Sequence, residues 1–332
     1  MKGIVLNRAL EDKIQLSDLP LPEPKKDEVI VRIKAAALNH RDEWSRKGLY
    51  PNLKDGIVLG SDGAGIVETV GSDEFSHWLG KEVIINPALH WGANQLVQSR
   101  NFEILGMPRN GTLAEYVAVP ADRIHSKPSH LTWEEAAALP LAGLTAFRAL
   151  VYQGQVKSGE KVLVTGIGGG VAQFAAQFAL ALVAEVYVSS SKEEKSQKAL
   201  SLGVKASFNY TSEAWVQEAL DQTGGFDLII DGAAGDPLNQ LISVTKPGGR
   251  IVFYGATMGN PGKLEARKIF WNQLKIMGST MGSDRDFDGM MELVEKYQIH
   301  PLVDGVFPLE KAVEAFDRMK KGLQLGKIVL TP

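Results

Sequence analysis

Residues 162–172 read V-L-V-T-G-I-G-G-G-V-A, an apolar β-branched run that meets a cluster of glycines and then enters a helix-forming segment. A strand that turns through glycine straight into a helix is compatible with few folds, because the turn is tight and the helix must pack back on its sheet. Glycines at 166, 168, 169 and 170 let the backbone come within hydrogen-bonding distance of an anion. The helix after them presents unpaired N–H groups and the positive end of its dipole. Ala172 supplies a further small side chain where close helix–strand packing tolerates glycine or alanine. Such a turn is built to hold a diphosphate.

The surrounding sequence alternates strand and helix signals. Lys161–Val164 reads as a strand, Gly170–Val183 as an Ala/Phe/Gln-rich helix, Glu185–Ser189 as a second strand and roughly Glu193–Leu202 as a charged helix. Further strands are expected at Phe226–Asp231 and Gly249–Gly255. This alternation predicts a doubly wound parallel sheet covered on both faces, with its ligand crevice beyond the carboxyl ends of the strands.

The end of the second strand decides which dinucleotide fits. An NAD site usually places Asp or Glu there to bond the ribose hydroxyls. Here the chain reads Ser189, Ser190, Ser191, Lys192, with Lys195 one turn into the helix. A carboxylate repels a 2′-phosphate, whereas hydroxyls and an ammonium bind it. The pattern favours NADP. The alternative is that the serines cap the helix and the lysines are solvated.

With 332 residues, 44% of them hydrophobic, the chain is long enough for two domains. A net charge of -3 and the lack of a dense Lys/Arg run give no footprint for nucleic acid. The longest apolar stretch, Val171–Ala184, is interrupted by Gln173 and Gln177 and is too short to cross a membrane. The start of the chain reads as a strand rather than a signal peptide, so a cytoplasmic location is expected. There is no cysteine, which excludes disulfides, thiolate nucleophiles and thiolate–zinc sites. The six histidines show no H-x-x-x-H or H-E-x-x-H spacing. His40 with Asp42 is the only close acid–histidine pair in a plausible site segment.

The first 120 residues are mainly β in character, with runs at Val29–Ala35, Gly65–Val70, Glu82–Asn86 and Glu115–Val119. Thr132–Tyr152 reads as helical, with Thr132 and Glu135 in a capping-box pattern. Leu309–Lys320 reads as an amphipathic helix and Lys327–Leu330 as a strand.

These residues carry a family resemblance. Asn39-His40-Arg41-Asp42, then Arg46–Tyr50, Gly60–Gly65, Gly111–Tyr116, Ala142–Ala146, the glycine turn, Lys246–Arg250 and Gly326–Leu330 follow one another in order. The chain thereby resembles the medium-chain dehydrogenase/reductase superfamily, and within it the zinc-free quinone oxidoreductase-like branch. Gly166–Ala172 and Ile269–Ser283 look closest to proteins often labelled zinc-type alcohol dehydrogenase-like. The resemblance implies a GroES-like β-rich catalytic domain at 1–123 and 299–332, with a Rossmann NADP-binding domain inserted at 124–298. It also implies a homodimer paired through cofactor-domain edge strands, with Ile276–Ser279 the candidate strand.

Zinc-dependent relatives bind the catalytic metal through cysteine, histidine and cysteine, and the matching positions here are Asn39, Ser61 and Leu141. The place of the four-cysteine structural zinc lobe is taken by roughly Leu89–Gly106. The expectation is therefore no zinc. By resemblance, Tyr50 lines the substrate pocket as a possible hydrogen-bond donor and Asn39 sits where nicotinamide and substrate meet. Ser61 and Asp62 take the former zinc pocket. Gly168, Gly169, Gly170 and Val171 map to the diphosphate turn and Thr145 to the nicotinamide side. Ser190, Ser191, Lys195 and Tyr210 map to the 2′-phosphate and adenosine end. Ala233, Gly255 and Ala256 line the same crevice after two further strands, and Lys327 is expected near the nicotinamide. The implied activity is hydride transfer from NADPH to a quinone or an α,β-unsaturated carbonyl. The alternatives are an NADPH-binding sensor or structural protein with little turnover, and a metal-free alcohol or aldehyde oxidoreductase.

Overall fold

The computed structural model describes residues 1–332. They form two compact units, one of Met1–Ala142 with Ser283–Pro332 and one of Gly143–Gly282. The inserted unit is thus shorter at both ends than 124–298. Helix Trp133–Ala138 belongs to the flanking unit because it buries Ala136, Ala137 and Ala138 there and packs on two of its central strands. Helix Asp284–Tyr297 belongs there too, tied by the Arg123–Asp284 ion pair and by Phe287, whose ring centroid lies 4.6 Å from that of His125.

The flanking unit is organised around strand Glu28–Ala37, whose Val29, Val31 and Ile33 point into the core. This strand pairs antiparallel with Asp62–Val70, Tyr116–Pro120 and Lys327–Thr331. The sheet continues to Val303–Pro308 on one side and through Glu82–Ile85 to Ile124–Ser126 on the other. Its register brings distant parts of the chain together. Ala37 is opposite Asp62 on one flank and opposite Val329 on the other, so the starts of strands Asp62–Val70 and Lys327–Thr331 converge on one spot.

In the segment 89–106 and its flank, Ala88–Leu89 pairs with Glu103–Ile104. The buried Trp91 packs edge-on against Phe102 at 5.3 Å and donates its indole N–H to the Asn94 carbonyl. Gln95 donates to Asp286 and accepts from Ser283, which fastens the segment to the helix start. An aromatic contact and side-chain amide bonds hold this lobe in shape.

The inserted unit is a six-stranded parallel sheet. Its order is Ala206–Phe208, Glu185–Ser189, Lys161–Val164, Phe226–Asp231, Thr245–Phe253 and Lys275–Gly278. Lys161–Val164 comes first in the chain yet lies in the middle, so strand order reverses beside it and leaves a crevice at its carboxyl end. Helix Gly170–Ala181 buries Ala172, Phe174, Ala175 and Phe178. That face is apolar at helical spacing, which is why the segment packs rather than spans.

The expected helical run 132–152 is broken into three. Thr132 and Glu135 do form the reciprocal cap, at 3.2 and 2.9 Å. Helix Trp133–Ala138 then stops, Pro140–Phe147 begins anew, and Arg148–Gln153 is π-helical. Pro140 has no N–H to continue the first ladder. Leu309–Lys320 similarly opens with a 3-10 turn over Leu309–Lys311 before helix Ala312–Lys320.

Candidate active site

Asn39 precedes helix His40–Lys47 in an extended conformation. Asp42, three residues on, accepts from the Asn39 backbone N–H at 2.8 Å and from the Gly60 N–H at 3.2 Å. Asp42 therefore fixes the helix start with its carboxylate. Burial pushes this carboxyl up from its ordinary range, opposed chiefly by the neighbouring Arg41 charge. The His40 ring stands edge-on to Trp44 with centroids 6.3 Å apart, and the Asp42 carboxylate makes its hydrogen bonds to the two main-chain N–H groups rather than to His40.

With the cap made by Asp42, the Asn39 side chain is free to face inward. Its Nδ2 donates to Asp62 Oδ2 at 2.9 Å, and its Oδ1 accepts from Lys327 Nζ at 2.6 Å. Lys327 Nζ also donates to Asp62 Oδ2 at 2.9 Å, and the Leu141 backbone N–H donates to Asp62 Oδ1 at 2.8 Å. Asp62 is fully buried and Lys327 is 3% exposed. Both oxygens of the carboxylate are thus occupied, one by a charge-assisted pair of donors. Leu141 takes part through its main chain alone.

A second network adjoins the first through the Ser61–Asp62 peptide. Arg41, also buried, sends Nη1 to Ser61 Oγ and to the Leu105 carbonyl, both at 2.6 Å. Its Nη2 faces the Ile104 and Met107 carbonyls at 3.4 Å each. Its Nε donates to the Tyr50 hydroxyl at 3.2 Å, and its Cζ stands 4.7 Å from the centre of the Tyr50 ring. Ser61 Oγ in turn donates to the Leu105 carbonyl at 2.7 Å, so its only proton is committed to the protein. Tyr50 borders a cavity of about 780 Å³ whose walls include Asn52, His90, Arg100, Phe102 and Arg109.

The geometry shows no group of three or more His, Asp or Glu side chains able to hold a metal ion. Sequence reasoning does not reach the Arg41 network. Arg41 stands inside the Asn39–Asp42 motif, but an arginine in the first turn of a short helix carries no signal of burial.

In the inserted unit, the glycine turn is shaped by its neighbours. Gly166 has φ +61°, its N–H donates to Ser189 Oγ, and the Ile167 N–H donates to the Ser189 carbonyl. Gly169 caps helix Gly170–Ala181. The first N–H groups of that helix, at Gly170, Val171 and Ala172, precede any intrahelical acceptor and open at the carboxyl end of the sheet. The side chain of Lys195 folds back over the turn. A methyl group built on Gly168 would lie 2.7 Å from Lys195 Nζ. Gly168 is thus required for the close approach of a cation to the turn.

Ser190 is buried and exchanges hydrogen bonds with the Lys192 backbone, donating to its carbonyl and accepting from its N–H, each at 3.0 Å. Ser191 is half-buried beside it, and Tyr210 is 46% exposed past the third strand. Ala233 lies in a loop set by Asp231, whose carboxylate accepts from the Thr165 hydroxyl and the Ala233 and Ala234 N–H groups. That loop touches the next: a methyl on Gly255 would stand 2.9 Å from the Gly232 carbonyl, and Ala256 follows, exposed. Burial, together with the Asp231 charge, pushes the nearby Tyr254 phenol far up, so it stays protonated. Thr145 is buried on helix Pro140–Phe147, where its hydroxyl approaches Met281 Sδ.

The structure therefore gathers Gly168–Val171, Ser190, Ser191 and Lys195 at one end of the first two sheet strands. Ala233, Gly255 and Ala256 lie at the same end of the next two. Lys327 is part of the Asn39–Asp62 network in the flanking unit.

Two family models match the chain, the alcohol dehydrogenase GroES-like domain over residues 25–129 and the zinc-binding dehydrogenase over residues 170–296. A zinc-type alcohol dehydrogenase-like protein of Schizosaccharomyces pombe is 36% identical, over 98% of this chain and 99% of its own. This chain belongs to the medium-chain dehydrogenase/reductase superfamily. Among members of that superfamily, mouse quinone oxidoreductase is 27% identical over 95% of this chain and 92% of its own. A crystal structure of an NAD-dependent alcohol dehydrogenase superposes with a TM-score of 0.94 at 38% identity, covering all of both chains. The structure of a 2-octenoyl-CoA carboxylase reductase in complex with NADP and 2-octenoyl-CoA does so with a TM-score of 0.88 at 25% identity, covering 99% of this chain and 87% of the other. Superfamily membership makes this protein an oxidoreductase with a GroES-like unit and a Rossmann unit.

Proposed function

We propose that this protein is a zinc-independent, NADPH-dependent reductase that passes hydride to a quinone or to the β-carbon of an α,β-unsaturated carbonyl. The observation that carries the reading is the buried Asn39–Asp62–Lys327 network. The position matching the first zinc ligand already accepts from an ammonium at 2.6 Å, and that ammonium shares Asp62. A dication placed there would meet Lys327 at close range in a dry site, with a carboxamide, a committed hydroxyl and a leucine for ligands. Zinc does not fit.

The inserted unit does fit a phosphorylated dinucleotide. The Gly170–Ala172 N–H groups would take the diphosphate, and Lys195, with Ser190 and Ser191, the 2′-phosphate. When bound, NADPH supplies the hydride. The chain's own part is to orient the acceptor and to stabilise negative charge that develops on its oxygen. Tyr50 is the group suited to this, because it borders the cavity and its hydroxyl has a proton to give. Asn39 and Asp62 act as supports for Lys327 in this reading, and Ser61 as a support for Arg41.

The likeness to an NAD-dependent alcohol dehydrogenase favours a second reading, a metal-free alcohol or aldehyde oxidoreductase. Oxidation of NADPH by the purified protein in excess EDTA separates the two. An aromatic ortho-quinone and an enone serve as acceptors, with NADH as the matched control. Turnover with NADPH, unaffected by EDTA, is expected. Tight NADPH binding without turnover points to a sensor, and activity restored by added zinc overturns the reading.

A further inference from the structure

Arg41 is a buried cation with five N–H groups, and each faces a protein acceptor: the Tyr50 and Ser61 hydroxyls and the carbonyls of Ile104, Leu105 and Met107. No N–H is left for a substrate. The consequence lies in the two hydroxyls it touches. A guanidinium has no lone pair to offer, so Tyr50 Oη and Ser61 Oγ can only accept from it. Ser61 then spends its proton on the Leu105 carbonyl. Tyr50 makes no other hydrogen bond, and it borders the 780 Å³ cavity.

We propose that Arg41 is a positioning residue: it holds the Tyr50 oxygen as an acceptor, and so leaves the phenolic O–H to donate to a carbonyl oxygen of the substrate in that cavity. The contact of the guanidinium with the ring face fixes the phenol plane as well, since Cζ stands 4.7 Å from the ring centre. Both contacts act on one side of Tyr50. The phenolic proton is directed away from the guanidinium, which cannot accept it. This rests on the proposed reduction of a carbonyl-bearing acceptor. Ser61, although it occupies a ligand position, shares the same guanidinium and has no proton left to give.

The test uses the full chain and the enal 4-(dimethylamino)cinnamaldehyde, whose absorption moves to longer wavelength when its oxygen accepts a hydrogen bond. Spectra of the bound dye without reduced cofactor are compared with kcat and KM for its reduction, in wild type, Tyr50→Phe, Arg41→Lys, Arg41→Met and the R41M/Y50F double variant. The wild-type red shift is expected to vanish in Tyr50→Phe and in both Arg41 variants while the dye still binds. Loss of one such donor lowers kcat by about 100-fold or more. Arg41→Met is expected to match Tyr50→Phe in kcat, and the double variant to fall no further. Arg41→Lys keeps the charge and guards against a folding defect in Arg41→Met. A red shift that persists in the Arg41 variants, or a further fall of kcat in the double variant, overturns the positioning role and leaves Tyr50 as donor. A red shift that persists in Tyr50→Phe overturns the donor reading and this inference with it.

Discussion

The Lys327 ammonium and the Asp62 carboxylate lie 265 residues apart in the chain and 2.9 Å apart in the fold, both out of water. Removing one partner of such a pair leaves an uncompensated buried charge, which costs about 3–5 kcal/mol. Lys327→Met is therefore expected to lose that much stability in urea unfolding of the flanking unit. Adding Asp62→Leu should restore part of it, because the stranded charge is then gone. A loss under about 1 kcal/mol for Lys327→Met, the range of solvated surface pairs, would contradict the burial of this pair.

Lys195 sets the cofactor prediction. A hydrogen bond to a charged group contributes about 1.5–3 kcal/mol, so Lys195→Ala should weaken NADPH binding about 10- to 100-fold. NADH, which lacks the 2′-phosphate, should change less than about 3-fold on the same argument. Fluorescence titration of both nucleotides checks this. Equal losses would assign Lys195 to the diphosphate turn instead.

His125 gives the pH dependence. Burial, aided by Arg123 and opposed by Asp288, holds its imidazole below the ordinary value of 6.5. The folded state then binds the proton less readily than the unfolded chain. Stability is present above about pH 6.5 and is lost as pH falls toward the folded pKa. Melting temperature should accordingly drop between about pH 7 and pH 5 in the wild type, and less steeply in His125→Phe. Parallel curves would show that another group dominates.

The outer strand Lys275–Gly278 is unpaired on one side. Just before it, Phe270 and Trp271 are 67% and 78% exposed. An apolar edge of this kind is hazardous when left open, and we propose that a second copy of the chain covers it. Light scattering after gel filtration should find a dimer, with Ile276→Lys monomeric or aggregated. A well-behaved Ile276→Lys dimer would refute the assignment.

The parallel sheet was legible because its strands are short β-branched runs placed between glycines and helices, and Phe226–Asp231 matches its reading residue for residue. Boundaries failed where local chemistry intervened, as at Pro140. The glycine turn was legible as a tight turn because Gly168 stands where only a missing side chain permits the close approach of Lys195. Asn39, Tyr50, Ser61 and Asp62, the residues the sequence offers as catalytic candidates, do meet in two adjoining hydrogen-bond networks, but the partners that hold them there were not legible. Lys327 reaches Asp62 only through the register of a strand from the far end of the chain. Arg46 reads as a solvated or ion-paired surface residue, yet it is buried, bonded to Glu43 and Asp317 and set over Phe316. Long cationic side chains hide their burial from composition, because aliphatic stems let them enter a core that their heads alone would not.

Arg41 and Lys327 are cations that are part of the polymer. Divalent metals compete for a given set of ligands in a fixed order of strength, so an ion site depends on which ion the cell supplies and on what chelates it. A guanidinium and an ammonium written into the gene are present in every folded molecule at full occupancy, and no tighter-binding ion can displace them. These two positive charges are inherited with the sequence.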